Sequence, residues 1–413
     1  MTDHERDYDL VVYGATGFAG ELVAAYLADH APDGVRIALG GRSRERLEKA
    51  RGRLGVDWPL IVADADDEIG MAKLAAAARV VVTTVGPFLK FGRTLVRACA
   101  AAGTDYLDLT GEVIFHRWSI DDNDEMARST GARIVHSCGF DSIPSDLGVH
   151  VLHQLAERDG AGALTDTTLV VTSLKGGFSG GTIDTVRATV DLLGNDRELR
   201  RIAASPYALS PDRKAEPELG RQEDVVSMPG RAVDGSLSGH LAPFLMAAYN
   251  SRVVRRTNAL RDWAYGRTFR YREAQSAGTS AASPIIAAGI KFGLGALYTG
   301  LGLPPTRFVL DRVLPKPGTG PDEKTRRTGH FTMDIFTTTT SGARYRSRFR
   351  AKGDPGYAAT AVLLGESALT LVLDRDQLPP VEGGVLTPAT ALGDALVARL
   401  RAAGVEISAK KLA

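Results

Sequence analysis

The sequence predicts an α/β chain, a doubly wound parallel sheet with a second α+β unit, on three observations. In YDLVVYGATGFAGELVAAYLADH at 8–30, an apolar run passes through three glycines into a segment of helical periodicity. Across the first 150 residues, six short apolar runs alternate with helical stretches, the rhythm of parallel strands joined by crossover helices. After Gly148 the rhythm changes to longer alternating strands grouped around a few helices.

The opening segment sets the first strand at Asp9–Tyr13, and Leu22, Val23, Tyr26 and Leu27 recur at helical spacing behind it. Between them Gly14, Gly17 and Gly20 let the chain reverse and let backbone N–H groups approach a phosphate at the positive end of the helix. Glycine-rich turns also mark plain loops, and the strand and helix on either side favour a dinucleotide site of the Rossmann type. Gly14, Thr16, Gly17, Phe18 and Gly20 are therefore candidate cofactor-binding residues. Their G-x-x-G-x-x-G spacing is a variant associated with NADP-linked reductases. Further strands are expected at Arg36–Leu39, Leu60–Val62, Val80–Thr84, Tyr106–Asp108 and Ile134–His136, with helices at Arg44–Leu54, Glu68–Ala78 and Arg93–Ala102.

At the end of the second strand, IALGGRS places Arg42 and Ser43 where an NAD enzyme would carry an acidic residue for the ribose 2′-hydroxyl. An arginine there pairs with a 2′-phosphate, so the expected cofactor is NADP (NADPH). Ser43 also reads as the N-cap of the following helix, and both readings hold together. Ligands in open α/β sheets bind beyond the carboxyl ends of the strands. That rule nominates Asp64, then Thr84, Val85, Gly86 and Pro87, then Thr110, Gly111 and Glu112, and the stretch HSCGFDSIPSDLG from His136 to Gly148. Each taken alone reads equally as turn chemistry or a helix cap.

In the second unit, Thr167–Leu174 reads as a strand, KGGFSGGT as a glycine loop and Ile183–Leu193 as a helix. Residues 205–234 read as an exposed loop. Phe331–Thr340 and Ala343–Ala351 alternate as strands around Ser341-Gly342, and a helix follows over Tyr357–Leu373. The expected units are 1–148, 149–385 and a C-terminal piece, 386–413.

With 413 residues, 44% hydrophobic and 24% charged, the chain suits two or three domains at roughly 150 residues each. A net charge of +1 supplies no global field for nucleic acid or an anionic surface. Cys99 and Cys138 make no disulfide framework and have no metal-ligand spacing, so no metal is expected and a cytoplasmic setting fits. The polar start MTDHERDYDL does not read as a signal peptide. The apolar stretch 281–310 carries Lys291 in its middle and Pro304-Pro305 near its end, and reads as a buried or interfacial helical hairpin rather than a span.

Two rival chemistries can be weighed. A short-chain reductase needs Tyr and Lys four positions apart, and no tyrosine in the chain has that partner. Gly177-Phe-Ser179-Gly-Gly181 satisfies G-x-S-x-G, so a serine hydrolase using Ser179 is an alternative, with only His240 and His330 left to serve it. The loop reads better as a backbone cradle, with Lys175, facing the cofactor or an acyl-phosphopantetheine arm.

VVYGATGFAG, LGGRS, VVTTVGPF, GTDYLDLTGE, IVHSCGFDSIPSDLG, KGGFSGGT, VLPKPGTGP and DPGYAATAVLLGESAL together resemble the saccharopine dehydrogenase-like oxidoreductases, most of all the mycobacterial trans-acting enoyl reductases. The resemblance implies a Rossmann domain, a mixed second domain, and a C-terminal helix at Pro388–Ala402 packing back on the first. It implies reduction of a carbon–carbon double bond in a polyketide or long-chain acyl thioester, held on the acyl carrier domain of a synthase lacking its own enoyl reductase. The products implied are phthiocerol- and phenolphthiocerol-type lipids. That reaction needs hydride at the β-carbon, fixed donors for an enolate oxygen and a proton for the α-carbon. His136, Lys175 and Tyr106 are the candidate catalytic residues, although His136 and Tyr106 lie on apolar strands and read more readily as buried hydrogen-bonding groups. An NADP-binding, lipid-associated accessory protein without turnover is a second alternative. The expected location is cytoplasmic, with peripheral contact at the inner face of the plasma membrane through 281–310, and the reading leaves a homodimer open.

Overall fold

The computed structural model describes residues 6–176, 180–313 and 320–412. Fourteen strands occur among them: β1 (Tyr8–Tyr13), β2 (Ile37–Gly41), β3 (Leu60–Val62), β4 (Ala78–Thr83), β5 (Asp105–Leu107), β6 (Arg133–Val135), β7 (Leu164–Lys175), β8 (Met228–Pro229), β9 (His240–Pro243), β10 (Arg270–Ser276), β11 (His330–Thr339), β12 (Arg344–Lys352), β13 (Gly384–Leu386) and β14 (Glu406–Lys411). They form two seven-stranded sheets, ordered β13-β6-β5-β4-β1-β2-β3 and β14-β12-β11-β7-β10-β9-β8.

Every pairing in the first sheet is parallel. Both of its faces are covered, which is why its strands are continuous apolar runs rather than alternating ones. Leu10 and Val12 of β1 and Val80 and Val82 of β4 point into one core, while Val11, Tyr13 and Val81 point into the other. The register Leu10↔Val80, Val11↔Val81 sets like faces side by side. A buried Val or Leu contributes roughly 1.5–3 kcal/mol each.

Two features alter the expected boundaries. β13 adds to the edge of the first sheet beside β6, with Val385 opposite Ile134. The helix Ala358–Leu373 packs against the helix Phe18–His30, against β4 and against β5. There Gly365 leaves room for the Tyr26 ring, whose hydroxyl donates to Glu366 at 2.5 Å. So 149–385 contributes a strand and a covering helix to the first unit. The helix expected over Pro388–Ala402 is two, Pro388–Ala391 and Gly393–Ala402, with Gly393 at φ +48° between them. The second packs on Ala358–Leu373, and the chain returns to the second sheet as β14, antiparallel to β12.

The second sheet is mixed. β7 runs parallel to β10 and antiparallel to β11, and β11, β12 and β14 continue antiparallel. One side of it packs on the helix Ile143–Arg158, which joins the two sheets through a shared core. The apolar stretch forms the hairpin of Ser283–Gly302 and Pro304–Val313. Its first helix has a mean hydropathy of 1.4 over an 18-residue window, and only 17% of that window is buried. The hairpin is thus exposed rather than buried.

Candidate functional site

The crevice lies beyond the carboxyl ends of the first sheet, and its cofactor half is built from backbone. Gly14 takes φ +89°, and a Cβ there would stand 2.6 Å from Cγ2 of Val85. At Gly20 a Cβ would stand 2.1 Å from the Gly14 carbonyl oxygen, so only glycine lets the helix start so close beneath the turn. Gly17 is the N-cap of the helix Phe18–His30 and provides no side-chain cap. Its first-turn N–H groups, which no carbonyl inside the helix can reach, are left for a ligand. Thr16 stands in the turn, partly exposed. The residues fit a dinucleotide pyrophosphate, because Gly14 and Gly20 let the turn, β4 and the helix start pack so closely that the uncapped first-turn N–H groups stand at the end of β1.

The neighbouring residues complete that half. Thr84 closes on the turn through its hydroxyl, 3.5 Å from the Gly14 carbonyl, and the Val85 N–H donates to Thr83 Oγ1 at 3.2 Å. Gly86 is exposed, and its bond to Pro87 is cis. Arg42 is exposed and has no hydrogen bond or salt bridge among the described residues. Ser43 caps the helix Arg44–Leu54 by accepting from the Arg46 N–H at 3.4 Å. Asp64 accepts from the Asp66 N–H at 3.2 Å. The Tyr13 phenol lies near both Asp64 and Arg42. It is pushed up to about 12, by burial first and by Asp64 next, with Arg42 pulling the other way.

The Phe18 ring, at the first position of the helix Phe18–His30, packs on the second unit. It meets Tyr357 edge-on, with centroids 4.6 Å apart, and so couples the glycine turn to the second unit. Tyr357 in turn accepts from the Gly180 N–H at 3.1 Å. From there the helix Gly180–Asn195 runs across to the other half of the crevice, where the Thr185 hydroxyl donates to Glu112 at 3.3 Å. The apolar hairpin packs on that same helix, and Arg307 pairs with Asp191 at 2.9 Å.

The other half, beyond β5 and β6, corrects two catalytic assignments. His136 and Tyr106 are fully buried. Nδ1 of His136 bonds Asp108 at 2.7 Å, Nε2 bonds the Ser119 hydroxyl at 2.8 Å, and Tyr106 donates to Asp108 at 3.0 Å. Asp108 also accepts from the Thr110 and Ser137 N–H groups, each at 3.0 Å. Every polar atom of His136 and Tyr106 is engaged inside the protein, so neither is placed to give a proton to a substrate. The cluster fixes the β5 and β6 loops instead. Lys175 is exposed at the end of β7, opposite His330, on the segment leading to the Tyr357 contact. Ser179 lies outside the described residues. His330 bonds the Ser173 hydroxyl at 2.9 Å, and neither it nor His240 bonds a carboxylate among the described residues.

Two carboxyl groups stand out on this side. Glu112 accepts from the Phe88 N–H at 2.9 Å and the Leu89 N–H at 2.6 Å, capping the start of the helix Phe88–Phe91, and burial raises it to about 7. Asp141, in the loop after β6, is also raised to about 7, by desolvation alone. Sequence reasoning placed Asp141 inside a nominated stretch without singling it out, because its setting is made by distant residues. Among the described residues no group of three or more His, Cys, Asp or Glu side chains is gathered in metal-binding fashion.

The fold and the glycine cradle define a nicotinamide-dependent oxidoreductase. Residues 10–134 match the family described as saccharopine dehydrogenase NADP binding domain. A saccharopine dehydrogenase (L-Glu forming) from Saccharomyces cerevisiae shares the fold, with a TM-score of 0.54 over 98% of this chain and all of that one, at 11% identity. Trans-acting enoyl reductases of Mycobacterium tuberculosis and Mycobacterium bovis are each 51% identical, and that of Mycobacterium ulcerans 48% identical, over the full length of both chains. The chain belongs to the trans-acting enoyl reductase family.

Proposed function

We propose that this chain is an NADPH-dependent trans-acting enoyl reductase. Its substrate in this reading is an α,β-unsaturated polyketide or long-chain acyl thioester on a separate acyl carrier domain, and its pathway is cell-envelope lipid synthesis of the phthiocerol type. The observation that carries the reading is the 51% identity to enzymes of that name over the whole chain, joined to an intact glycine cradle.

NADPH over NADH rests on Arg42, an exposed guanidinium beyond β2 with no hydrogen bond or salt bridge among the described residues, where an acidic residue would otherwise take the ribose hydroxyl. When bound, the reduced nicotinamide supplies a hydride. Gly14, Gly17 and Gly20 would hold the pyrophosphate, and the acyl chain would lie beyond β5 and β6, on the side that the helix Gly180–Asn195 reaches through Thr185 and Glu112.

The exposed hairpin supports a lipid substrate and peripheral contact with the inner face of the plasma membrane. Ile285 and Phe292 are 77% and 78% exposed, Phe308 is 62% exposed, and Lys291 and Arg312 lie beside them. Apolar side chains with flanking cations suit an interface.

The test mixes the purified chain, NADPH and a trans-2-enoyl pantetheine thioester, following nicotinamide absorbance and product mass. Consumption of NADPH with formation of the saturated thioester is expected. Release of free acid with NADPH untouched would establish the hydrolase instead, and no change in either would favour the accessory protein.

A further inference from the structure

The reduction leaves one requirement that His136 and Tyr106 do not meet, a proton for the α-carbon. Three acidic groups approach one another around Gly111, on the side of the crevice beyond β5 and β6. A Cβ built on Gly111 would lie 4.0 Å from Oδ2 of Asp141 and 3.1 Å from Cε of Met246, so the Asp141 carboxyl, the Met246 thioether and a bare stretch of backbone share one space. Glu112 is the next residue, and Tyr249, from the helix Ala247–Leu260, completes the group. Both Asp141 and Glu112 act electrostatically on the Tyr249 phenol.

The three differ in how they are engaged. Tyr249 is bonded to Ser137 and to Nδ1 of His116. Glu112 is spent on the Phe88 and Leu89 N–H groups and on Thr185. Asp141 has no hydrogen bond or salt bridge among the described residues and is partly exposed. It therefore combines an uncommitted carboxyl with a place beside the Gly111 backbone and Met246, beyond the carboxyl ends of β5 and β6. Open α/β sheets place the reacting end of a ligand beyond such strand ends.

We propose that the Asp141 carboxyl is the catalytic acid that protonates the α-carbon, an assignment that rests on the enoyl reductase reading. The substrate β-carbon gains the hydride and forms a C–H bond, and the alkene pair moves through the α-carbon onto the thioester oxygen. As that pair returns, the α-carbon takes the proton from Asp141, the O–H bond breaks, and the carboxylate is reprotonated from solvent. The cofactor is oxidised by two electrons and the acyl chain is reduced by two. A carboxyl raised to about 7 carries the proton at neutral pH, with Glu112 and Tyr249 as the titratable groups facing it from neighbouring elements.

The experiment compares wild type, Asp141→Asn and Asp141→Glu. It follows NADPH affinity, turnover of the enoyl pantetheine thioester against pH, and the infrared band of protonated carboxyl groups in the cofactor-free protein. Asp141→Asn is expected to keep its NADPH affinity, lose turnover by about a hundredfold or more, and lose a band that titrates near neutral pH. Asp141→Glu is expected to recover part of the rate with a shifted pH profile. Full turnover with an unchanged profile in Asp141→Asn, or a wild-type carboxyl already ionised at acid pH, overturns the assignment while the reaction stands. No turnover by the wild type removes the reaction and the assignment together.

Discussion

The two halves of the crevice are made from different materials. The cofactor half is backbone: Gly14, Gly17 and Gly20 bring a turn and a helix start within reach of a pyrophosphate, and Arg42 and Asp64 stand around it in solvent. The chemical half is made of buried side chains, with Asp108 tying Tyr106, His136, Thr110 and Ser137 into one cluster and Asp141 left outside it. The first half is thus shaped by backbone geometry, and the second by which acid is held: among the described residues Asp108 is fully engaged and Asp141 has no hydrogen-bond partner. Two aspartates on adjacent strand ends meet opposite fates for that reason.

The comparison breaks most severely at Asp108. Asp108→Ala strands four buried donors at once, each costing about 1–3 kcal/mol when unsatisfied. Denaturant melts are expected to show a loss of about 3 kcal/mol or more, or no soluble protein. A loss below about 1 kcal/mol would mean that the cluster is loosely held. Next comes Gly20→Val, whose Cβ meets the Gly14 carbonyl. It is expected to cost about 1–3 kcal/mol and to abolish nicotinamide binding in the protein that does fold. Retained binding would mean that the turn relaxes.

Asp141 sharpens the contrast through pH. Its folded value of about 7 lies above the ordinary 3.8, so the folded state favours the protonated form. The contribution to stability is full below about 4 and is lost as pH rises through about 7. Asp141→Asn is therefore expected to match wild type in melting temperature at acid pH and to exceed it in alkali. Equal curves throughout would place the carboxyl in water. The smallest stability effect is expected at the hairpin, where Ile285, Phe292 and Phe308 are exposed. Changing all three to Ser should leave the melt within about 0.5 kcal/mol of wild type. It should nonetheless abolish co-sedimentation with anionic lipid vesicles, and sedimentation that is unchanged would end the membrane reading.

How much of this was legible in the sequence follows the same division. Glycine spacing encodes backbone geometry locally, so the strand, turn and helix at 8–30 could be read directly. His136 and Tyr106 sit on apolar strands in a pattern that favours burial without excluding catalysis, and only Asp108, Ser119 and the covering helices decide between them. Asp141 takes its setting from Gly111, in the loop after β5, and from Met246, much further along the chain. β13 is three residues long and joins its sheet beside β6, from a point some 250 residues later in the sequence, so no local period announces it. The hairpin was legible as a hairpin, but its exposure depends on which neighbours reach it.

The most direct measurement of the account is titration of wild type and Arg42→Ala with NADPH and NADH, following nicotinamide fluorescence. Tight NADPH binding, weak NADH binding and a loss of about tenfold to a hundredfold for NADPH alone in Arg42→Ala are expected, the size of one charge-assisted contact. Failure of wild type to bind either nucleotide, or an equal loss for both in the variant, would contradict it.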